Sequence, residues 1–147
     1  MSLKTKIILL SSIFFSFAAY AKPALKNIES DTAIQNAVLF YINEYRQQHG
    51  LSKLIMDNRI VLQAKQHSED MANHRMPFGH KEFGKRIAKI RTHIKNTSGG
   101  AENVAYNYKN AQEVVRQWVR SPGHQRNIVG NYNLTGIGVA RNQQGKL

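Results

Sequence analysis

The sequence contains no cysteine and few acidic residues. Without cysteine the chain can form no disulfide framework and offers no thiol nucleophile, so burial of apolar surface must stabilise the fold. Asp and Glu number 9 against 21 Lys and Arg, which gives this basic protein a formal net charge of +12. The excess favours anionic partners, and solubility with weak attraction to an anionic cell surface explains it better than a dedicated nucleic-acid role. We predict no specific nucleic-acid binding.

The sequence also lacks an apolar run long enough to cross a membrane. The longest run covers residues 7–19 and has 13 residues, whereas a spanning helix needs about 20. Lys4 and Lys6 precede this run and Ala19-Tyr20-Ala21 follows it, which is the layout of a secretory signal peptide. We predict a cleavable signal peptide over 1–21, a linker over 22–30 and one domain over 31–147. The mature chain is then secreted or periplasmic, and bacterial export fits the missing cysteines best.

Hydrophobic periodicity predicts four helices in that domain. The first begins at Ser30 or Asp31 and ends near Gly50, the second follows Asp57, the third runs over 83–95, and the fourth begins at Asn110 and stops at Ser121-Pro122-Gly123. Lys and Arg occupy the outer positions of the third helix. This basic amphipathic helix suits either a solvated face on a core helix or contact with an anionic membrane.

Extended segments are predicted between these helices. They cover 51–56, 102–108 after a turn at 96–100, and 134–140 before a hairpin turn at 142–145. The return strand of that hairpin is almost absent, which predicts a domain that lacks its last strand. A hairpin that frays at the terminus is the alternative.

Three motifs in a fixed order point to a known family. They are Phe78-Gly79-His80, the segment 100–105 that contains Glu102, and the segment 118–128 that contains His124. Gly136-Ile137-Gly138-Val139 follows them. This ordered set resembles the bacterial branch of the CAP superfamily, which is named for cysteine-rich secretory proteins, antigen 5 and pathogenesis-related 1 proteins. The resemblance to this SCP domain extends from about Ala33 to the C-terminus.

The resemblance implies an α+β fold, a three-layer α/β/α sandwich with a small, largely antiparallel sheet. It also implies a surface cleft lined by histidines and acidic residues, in which His80 matches the first histidine and Glu102 matches the glutamate of a Gly-Glu-Asn signature. Ala101 replaces the glycine of that signature, and this change can affect the loop if the glycine needs a positive φ. Ser121 stands where many eukaryotic members have a second glutamate. Because the second cleft histidine of those members lies on the return strand, His124 is the best substitute.

The chemistry of these residues leaves several roles open. Imidazoles and a carboxylate from His80, Glu102 and His124 can hold a divalent metal such as zinc or share protons, with Glu82 as a fourth contributor. Alternatively, these side chains take no part in chemistry and connect loops by hydrogen bonds, which is the role that we expect of Asn103 and Asn127. Other residues are assigned to structure: Trp118 to the core, and the remaining histidines to ordinary surface or packing positions, namely His49, His67, His74 and His93.

Three functions follow from this interpretation. The leading one is a binding domain whose cleft takes a small apolar ligand or a peptide, since several relatives implied by the resemblance are associated with sterol or fatty-acid binding. The alternative is a metal-dependent, peptidase-like hydrolase that uses the same cleft. The third is a polycationic surface protein that uses the helix over 81–95. The sequence does not decide whether the protein is an enzyme.

Overall fold

The computed structural model describes residues 5–11 and 30–142. Along the chain its elements are β1 (Thr5–Ser11), α1 (Asp31–Gln48), β2 (Ile55–Met56), α2 (Asn58–Ala72), α3 (Phe83–His93), β3 (Thr97–Val104), α4 (Ala111–Arg120), α5 (Pro122–Ile128) and β4 (Leu134–Gly138). The domain is therefore a mixed α and β fold, as predicted.

The predicted helix starts are confirmed by their capping contacts. Ser30 Oγ accepts a hydrogen bond from the backbone N–H of Ala33, and Asp57 and Asn110 cap α2 and α4 in the same way. Residues Ser121-Pro122-Gly123 end α4 as expected, but they also begin the short helix α5. Proline suits the first turn of a helix because its missing N–H has no partner there.

The sheet departs most from expectation. Within the described residues every strand pair is parallel, in the order β2-β4-β1-β3, so the predicted largely antiparallel sheet is wrong. The helical connections explain the difference: α2 and α3 link β2 to β3, and α4 and α5 link β3 to β4. Such crossovers return the chain to the same end of the sheet. The predicted hairpin falls largely on residues 143–147, outside the described part.

The strand boundaries near Glu102 also differ from prediction. Residues 97–100, expected as part of a turn, form the first half of β3, while Tyr106 and Tyr108 lie beyond its end. The reason is the long pairing of β3 with β1, which extends from Thr97 to Val104 and overrides the local turn preference of the glycines.

The strand β1 lies inside the segment predicted as a signal peptide. Its four central side chains, Ile7 to Leu10, are completely buried and alternate between the two faces of the sheet. Ile8 and Leu10 pack in a core with α1 and α4, whereas Ile7 and Leu9 pack in a second core with α2 and α3. Helices thus cover both faces of the sheet. Cleavage after residue 21 stays a prediction, and all of the predicted linker 22–30 except Ser30 lies outside the described residues.

The helix α2 packs closely on the strand β4 at two glycines of that strand. A Cβ atom added to Gly136 would lie 2.2 Å from the backbone nitrogen of Val61, and one added to Gly138 would lie 2.2 Å from the carbonyl carbon of Ala64. Glycine therefore allows α2 to pack backbone to backbone on the sheet. This packing helps to position His67, which α2 carries into the site described below.

Candidate functional site

Glu102 is the centre of the candidate site. It lies on β3, in the buried second half of that strand, and its side chain is only 2% exposed. A buried carboxylate needs charged or hydrogen-bonding partners, and three side chains provide them: Arg86, His80 and, at longer range, His67.

Arg86 is the strongest partner of Glu102. Its Nη2 lies 2.6 Å from Oε1 and its Nε lies 2.9 Å from Oε2, so the guanidinium binds both carboxylate oxygens. A third donor, Nη1, contacts the carbonyl of Lys81 at 2.7 Å. The sequence interpretation placed Arg86 on the solvated face of a basic helix. Its spacing of three residues from Phe83 and four from Ile90, on the apolar stripe, is the signal that could have found it.

His80 lies on the loop between α2 and α3 and faces Glu102. Its Nδ1 is 3.0 Å from Glu102 Oε1, and since a carboxylate only accepts, Nδ1 is the donor. The side chain is 51% exposed. Two of the residues predicted for the cleft, His80 and Glu102, are thus in contact, and the rest of the imidazole ring is accessible to a ligand.

His67 is a site residue that the sequence interpretation missed. Its side chain is fully buried on α2, with Nε2 2.8 Å from the carbonyl of Gly79 and 3.8 Å from Glu102 Oε1. Burial, followed by the charge of Arg86, lowers the pKa of His67. The neutral ring donates from Nε2 to Gly79, and Nδ1 has no hydrogen-bond partner among the described residues. His67 thus fixes the loop that delivers His80.

His124 lies at the start of α5. Burial lowers the pKa of His124, and the charge of His80 lowers it further. Its Nδ1 is 2.9 Å from Ser121 Oγ, within the first turn of α5, and its ring lies 6.4 Å from that of Trp118. The indole of Trp118 is buried as predicted.

Glu82 pairs with a lysine of its own helix rather than with His80, Glu102 or His124. Its carboxylate pairs with Lys85 at 2.7 Å on the exposed side of α3, and this hydrogen bond lowers the pKa of Glu82. Glu82 has a left-handed backbone with φ of 61°, at the start of α3. The expectation of a fourth contributor to the cleft therefore receives no support from its contacts.

Two asparagines connect the loops around Glu102, as predicted. Asn127 Nδ2 donates to the backbone carbonyl of Glu102 at 3.2 Å and to Asn103 Oδ1 at 2.8 Å. Asn103 Nδ2 donates in turn to the carbonyl of His124 at 3.2 Å. These bonds tie β3 to α5. Ala101 is in the strand without a positive φ, so the replacement of the signature glycine causes no backbone strain.

The donor set does not fit a metal ion. Within residues 5–11 and 30–142, no group of three or more His, Cys, Asp and Glu side chains is arranged to hold one. Arg86 binds both oxygens of Glu102 and would have to release them before a cation could bind. The site is therefore an ion pair with flanking imidazoles rather than a zinc centre.

An exposed aromatic pair borders this site in the sequence. Phe78, two residues before His80, is 50% exposed, and Tyr106, four residues after Glu102, is 57% exposed. Their rings meet edge to face with centroids 4.8 Å apart.

A separate pocket of about 230 Å³ lies on α1 and includes Leu39 and Phe40. This volume is below the roughly 300 Å³ at which ligand pockets usually begin.

The ordered arrangement of these residues agrees with a family comparison. The model of the cysteine-rich secretory protein family, CAP, matches residues 39–147. The chain belongs to the CAP family. The match includes every residue of the candidate site.

Two bacterial relatives resemble this CAP chain, both from Bacillus subtilis (strain 168). The uncharacterized membrane protein YlbC is 32% identical over 113 residues, which are 75% of this chain and 32% of YlbC. The uncharacterized protein YkwD is 31% identical over 120 residues, which are 80% of this chain and 46% of YkwD. The chain thus spans less than half the length of these relatives. No solved structure gives a significant match. Among the described residues no helix has the length and apolar character needed to cross a membrane.

Proposed function

We propose that this CAP domain is a binding module whose cleft, formed by His80, Glu102 and His124, takes a small apolar ligand or a peptide segment. The observation that carries the proposal is the exposed edge-to-face pair of Phe78 and Tyr106, which lie two residues before His80 and four residues after Glu102 in the sequence. Large exposed aromatic side chains are available to cover an apolar group, while the imidazole offers a hydrogen bond that fixes its orientation.

The contacts of Glu102 favour binding over hydrolysis. Both of its oxygens are bonded to Arg86, and one of them also accepts from His80, so the carboxylate is engaged in orienting its neighbours. A water molecule would have to compete with Arg86 and His80 for these oxygens, and Arg86 would have to release Glu102 before a cation could bind. We therefore do not propose the metal-dependent hydrolase.

Binding is tested with the purified full chain against a panel of lipids, sterols and short apolar peptides. We expect saturable binding of at least one member, weakened roughly fivefold by Phe78→Ala or Tyr106→Ala, since such a ring contact contributes about 1 kcal/mol. Leu62→Ala, a change at an equally exposed residue of α2, is the matched control and is expected to leave the Kd unchanged. A folded chain that binds no member, or an equal effect of Leu62→Ala, would contradict the proposal. Phe40→Ala tests the pocket on α1.

Association with anionic surfaces is a weaker, second interaction that we propose for α3. Lys85, Lys89 and Arg91 of α3 are exposed, as are Lys81 before the helix and Lys95 after it. Such a cationic face attracts an anionic surface in a way that salt screens. Sedimentation with vesicles that contain anionic lipid should fall steeply between low and high salt, and salt-independent binding would argue against this role.

Export of the domain also remains a proposal, supported by the basic and apolar layout of residues 1–21. Mass spectrometry of the protein from bacterial fractions tests it. We expect a secreted or periplasmic species that begins at Lys22, whereas an intact cytoplasmic chain would contradict export.

A further inference from the structure

The loop between α2 and α3, which covers residues 73–82, has no buried residue of its own. It also contains three residues with a positive φ, namely His74, Gly79 and Glu82. This conformation is unfavourable for His74 and Glu82, which have side chains, and it persists only where neighbouring structure holds it. The shape of the loop must therefore be fixed by contacts from outside the loop.

Two side chains of α2 hold the middle of this loop at Gly79. His67 Nε2 donates to the carbonyl oxygen of Gly79 at 2.8 Å, and the backbone N–H of Gly79 donates to Met71 Sδ at 3.5 Å. His67 and Met71 are four residues apart, on one face of the helix, and both are buried. One glycine is thus held at its N–H and at its carbonyl by a single helix.

Gly79 is the residue between two side chains that we assign to the cleft, those of Phe78 and His80. The ring of Phe78 is exposed and meets Tyr106, and the imidazole of His80 donates to Glu102. Planar peptide units join both neighbours to Gly79. Contacts that fix the N–H and the carbonyl of Gly79 therefore restrict the directions in which Phe78 and His80 leave the chain.

We propose that His67 and Met71 are positioning residues of the cleft. They clamp Gly79 from both sides, and the clamp sets the placement of the Phe78 ring relative to the His80 imidazole. The side chain of His67 has no exposed surface and Met71 is only 6% exposed, so both act through Gly79 rather than by touching a ligand. This inference rests on the proposed function, because it concerns the same cleft, and it assigns the geometry of that cleft to α2.

The two nitrogens of His67 permit a matched pair of variants. Nε2 makes the bond to Gly79, whereas Nδ1 has no hydrogen-bond partner among the described residues. The amide nitrogen of glutamine reaches about as far as Nε2, and that of asparagine only about as far as Nδ1. His67→Gln should therefore keep the clamp, and His67→Asn should lose it. The loss of one hydrogen bond lowers the population of the binding-competent loop and should raise the Kd about fivefold.

The bond to Met71 is tested by Met71→Leu, which keeps a similar apolar volume and removes the sulfur acceptor. We expect the amide hydrogen of Gly79 to exchange with solvent at least about threefold faster, because a bond that protects it is lost. Met56→Leu is the matched control. It makes the same exchange in β2, at the opposite edge of the sheet from β3, and should leave the Gly79 amide unchanged.

The experiment compares these variants of the full chain in two ways, after urea unfolding has shown that each is folded. NMR of the ligand-free chain records the ring nitrogens of His80, whose shifts report the tautomer. In the wild type we expect the neutral ring to hold its proton on Nδ1, which donates to Glu102. The second measurement is fluorescence titration with Nile red, a neutral apolar dye. His67→Gln should match the wild type in both measurements, and His67→Asn should lose the Nδ1 tautomer and bind the dye about fivefold more weakly.

Several results would overturn the proposal. His67→Asn and His67→Gln with the same His80 signals and the same Kd would show that the bond to Gly79 does not position the cleft. Equal losses in both would assign the effect to the bulk of the imidazole instead. Equal exchange of the Gly79 amide in Met71→Leu and Met56→Leu would remove Met71 from the clamp.

The two proposals can fail separately. A wild-type chain that does not bind Nile red counts against the proposed function, while the His80 signals of the ligand-free variants still decide whether the clamp positions the ring. If His67→Asn does not fold, the His80 signals of Met71→Leu decide it, and wild-type signals in that variant would overturn the proposal.

Discussion

Arg86 and Glu102 form a two-pronged ion pair that is almost completely removed from solvent. The guanidinium is within 2.9 Å of both carboxylate oxygens, and the two side chains are 9% and 2% exposed. Because water does not solvate these two buried charges, each charge is compensated by the other. Each residue thus makes the burial of the other tolerable, and the site depends on both.

We predict that Arg86→Leu strongly destabilises the fold, because it leaves the carboxylate of Glu102 buried without its cation. The expected loss in the free energy of unfolding is about 3–5 kcal/mol, measured by urea denaturation. The double variant Arg86→Leu, Glu102→Leu should recover much of this loss. Lys85→Leu is the matched control on the same helix: its pair with Glu82 is exposed and should contribute nothing measurable. Equal losses in the free energy of unfolding for Arg86→Leu and Lys85→Leu would contradict this prediction.

A second prediction concerns the loss of folding stability at acidic pH. Burial lowers the pKa of His67 in the folded state, so the unfolded chain takes up a proton first as the pH falls. The stability present above the unfolded pKa of about 6.5 is therefore lost as the pH falls towards the lowered folded value. His124, whose pKa is lowered in the same direction, adds to this loss. Asp57 and Glu82 also have lowered pKa values, but as carboxylates they titrate in a more acidic range.

The measurement is the free energy of unfolding in urea at several pH values between 7.5 and 5. His67→Gln, which has an amide that can still donate to the carbonyl of Gly79, should reduce the slope by up to about 1.4 kcal/mol per pH unit. His93→Gln, the same exchange at an exposed histidine, is measured beside it for comparison. A wild-type stability that is flat over this range would show that His67 does not titrate on unfolding.

Local signals predicted the helices well, because a cap or a periodic stripe is decided by neighbouring residues. Ser30, Asp57 and Asn110 are N-caps as expected, and Ile34, Val38 and Ile42 form the buried stripe of α1. The meeting of His80 with Glu102 was predicted through the family resemblance rather than from spacing. That meeting depends on contacts between residues 22 positions apart.

The features missed from the sequence depend on tertiary contacts. Arg86 and His67 resemble surface residues by type, and only the packing of α2 and α3 around Glu102 gives them buried partners. The direction of the strands escaped prediction for a similar reason. Residues 5–11 have the composition of a signal peptide, and nothing local indicates that they also fit between β3 and β4.

A third prediction tests the close packing of α2 on β4. Gly136→Ala would place a Cβ 2.2 Å from the backbone nitrogen of Val61, and helix backbone cannot move aside as a flexible side chain can. We expect a loss of about 3 kcal/mol in the free energy of unfolding, at the upper end of the usual cost of overpacking. Gly99→Ala, in β3, is the matched control because nothing lies within 4 Å of its added Cβ. The packing would be looser than described if both variants unfold at the same urea concentration.

A fourth prediction concerns Arg46, which is buried in the last turn of α1 and has no carboxylate partner among the residues that the structure describes. Its guanidinium donates instead to four backbone carbonyls, those of Ser52, Ile128, Gly130 and Tyr132, at 2.6 to 3.1 Å. These bonds connect the end of α1 to the segment between α5 and β4.

Arg46→Lys keeps the charge but has one ammonium group, which cannot reach acceptors spread around a planar fork. Buried carbonyls would lose their donors, at a cost of about 2–4 kcal/mol in the free energy of unfolding. Arg116→Lys, the same exchange at an exposed position of α4, should have no measurable effect. Thermal and urea unfolding of the two variants side by side decide the matter. If Arg46→Lys is as stable as Arg116→Lys, the four carbonyls do not depend on the guanidinium, and other contacts connect the end of α1 to the segment before β4.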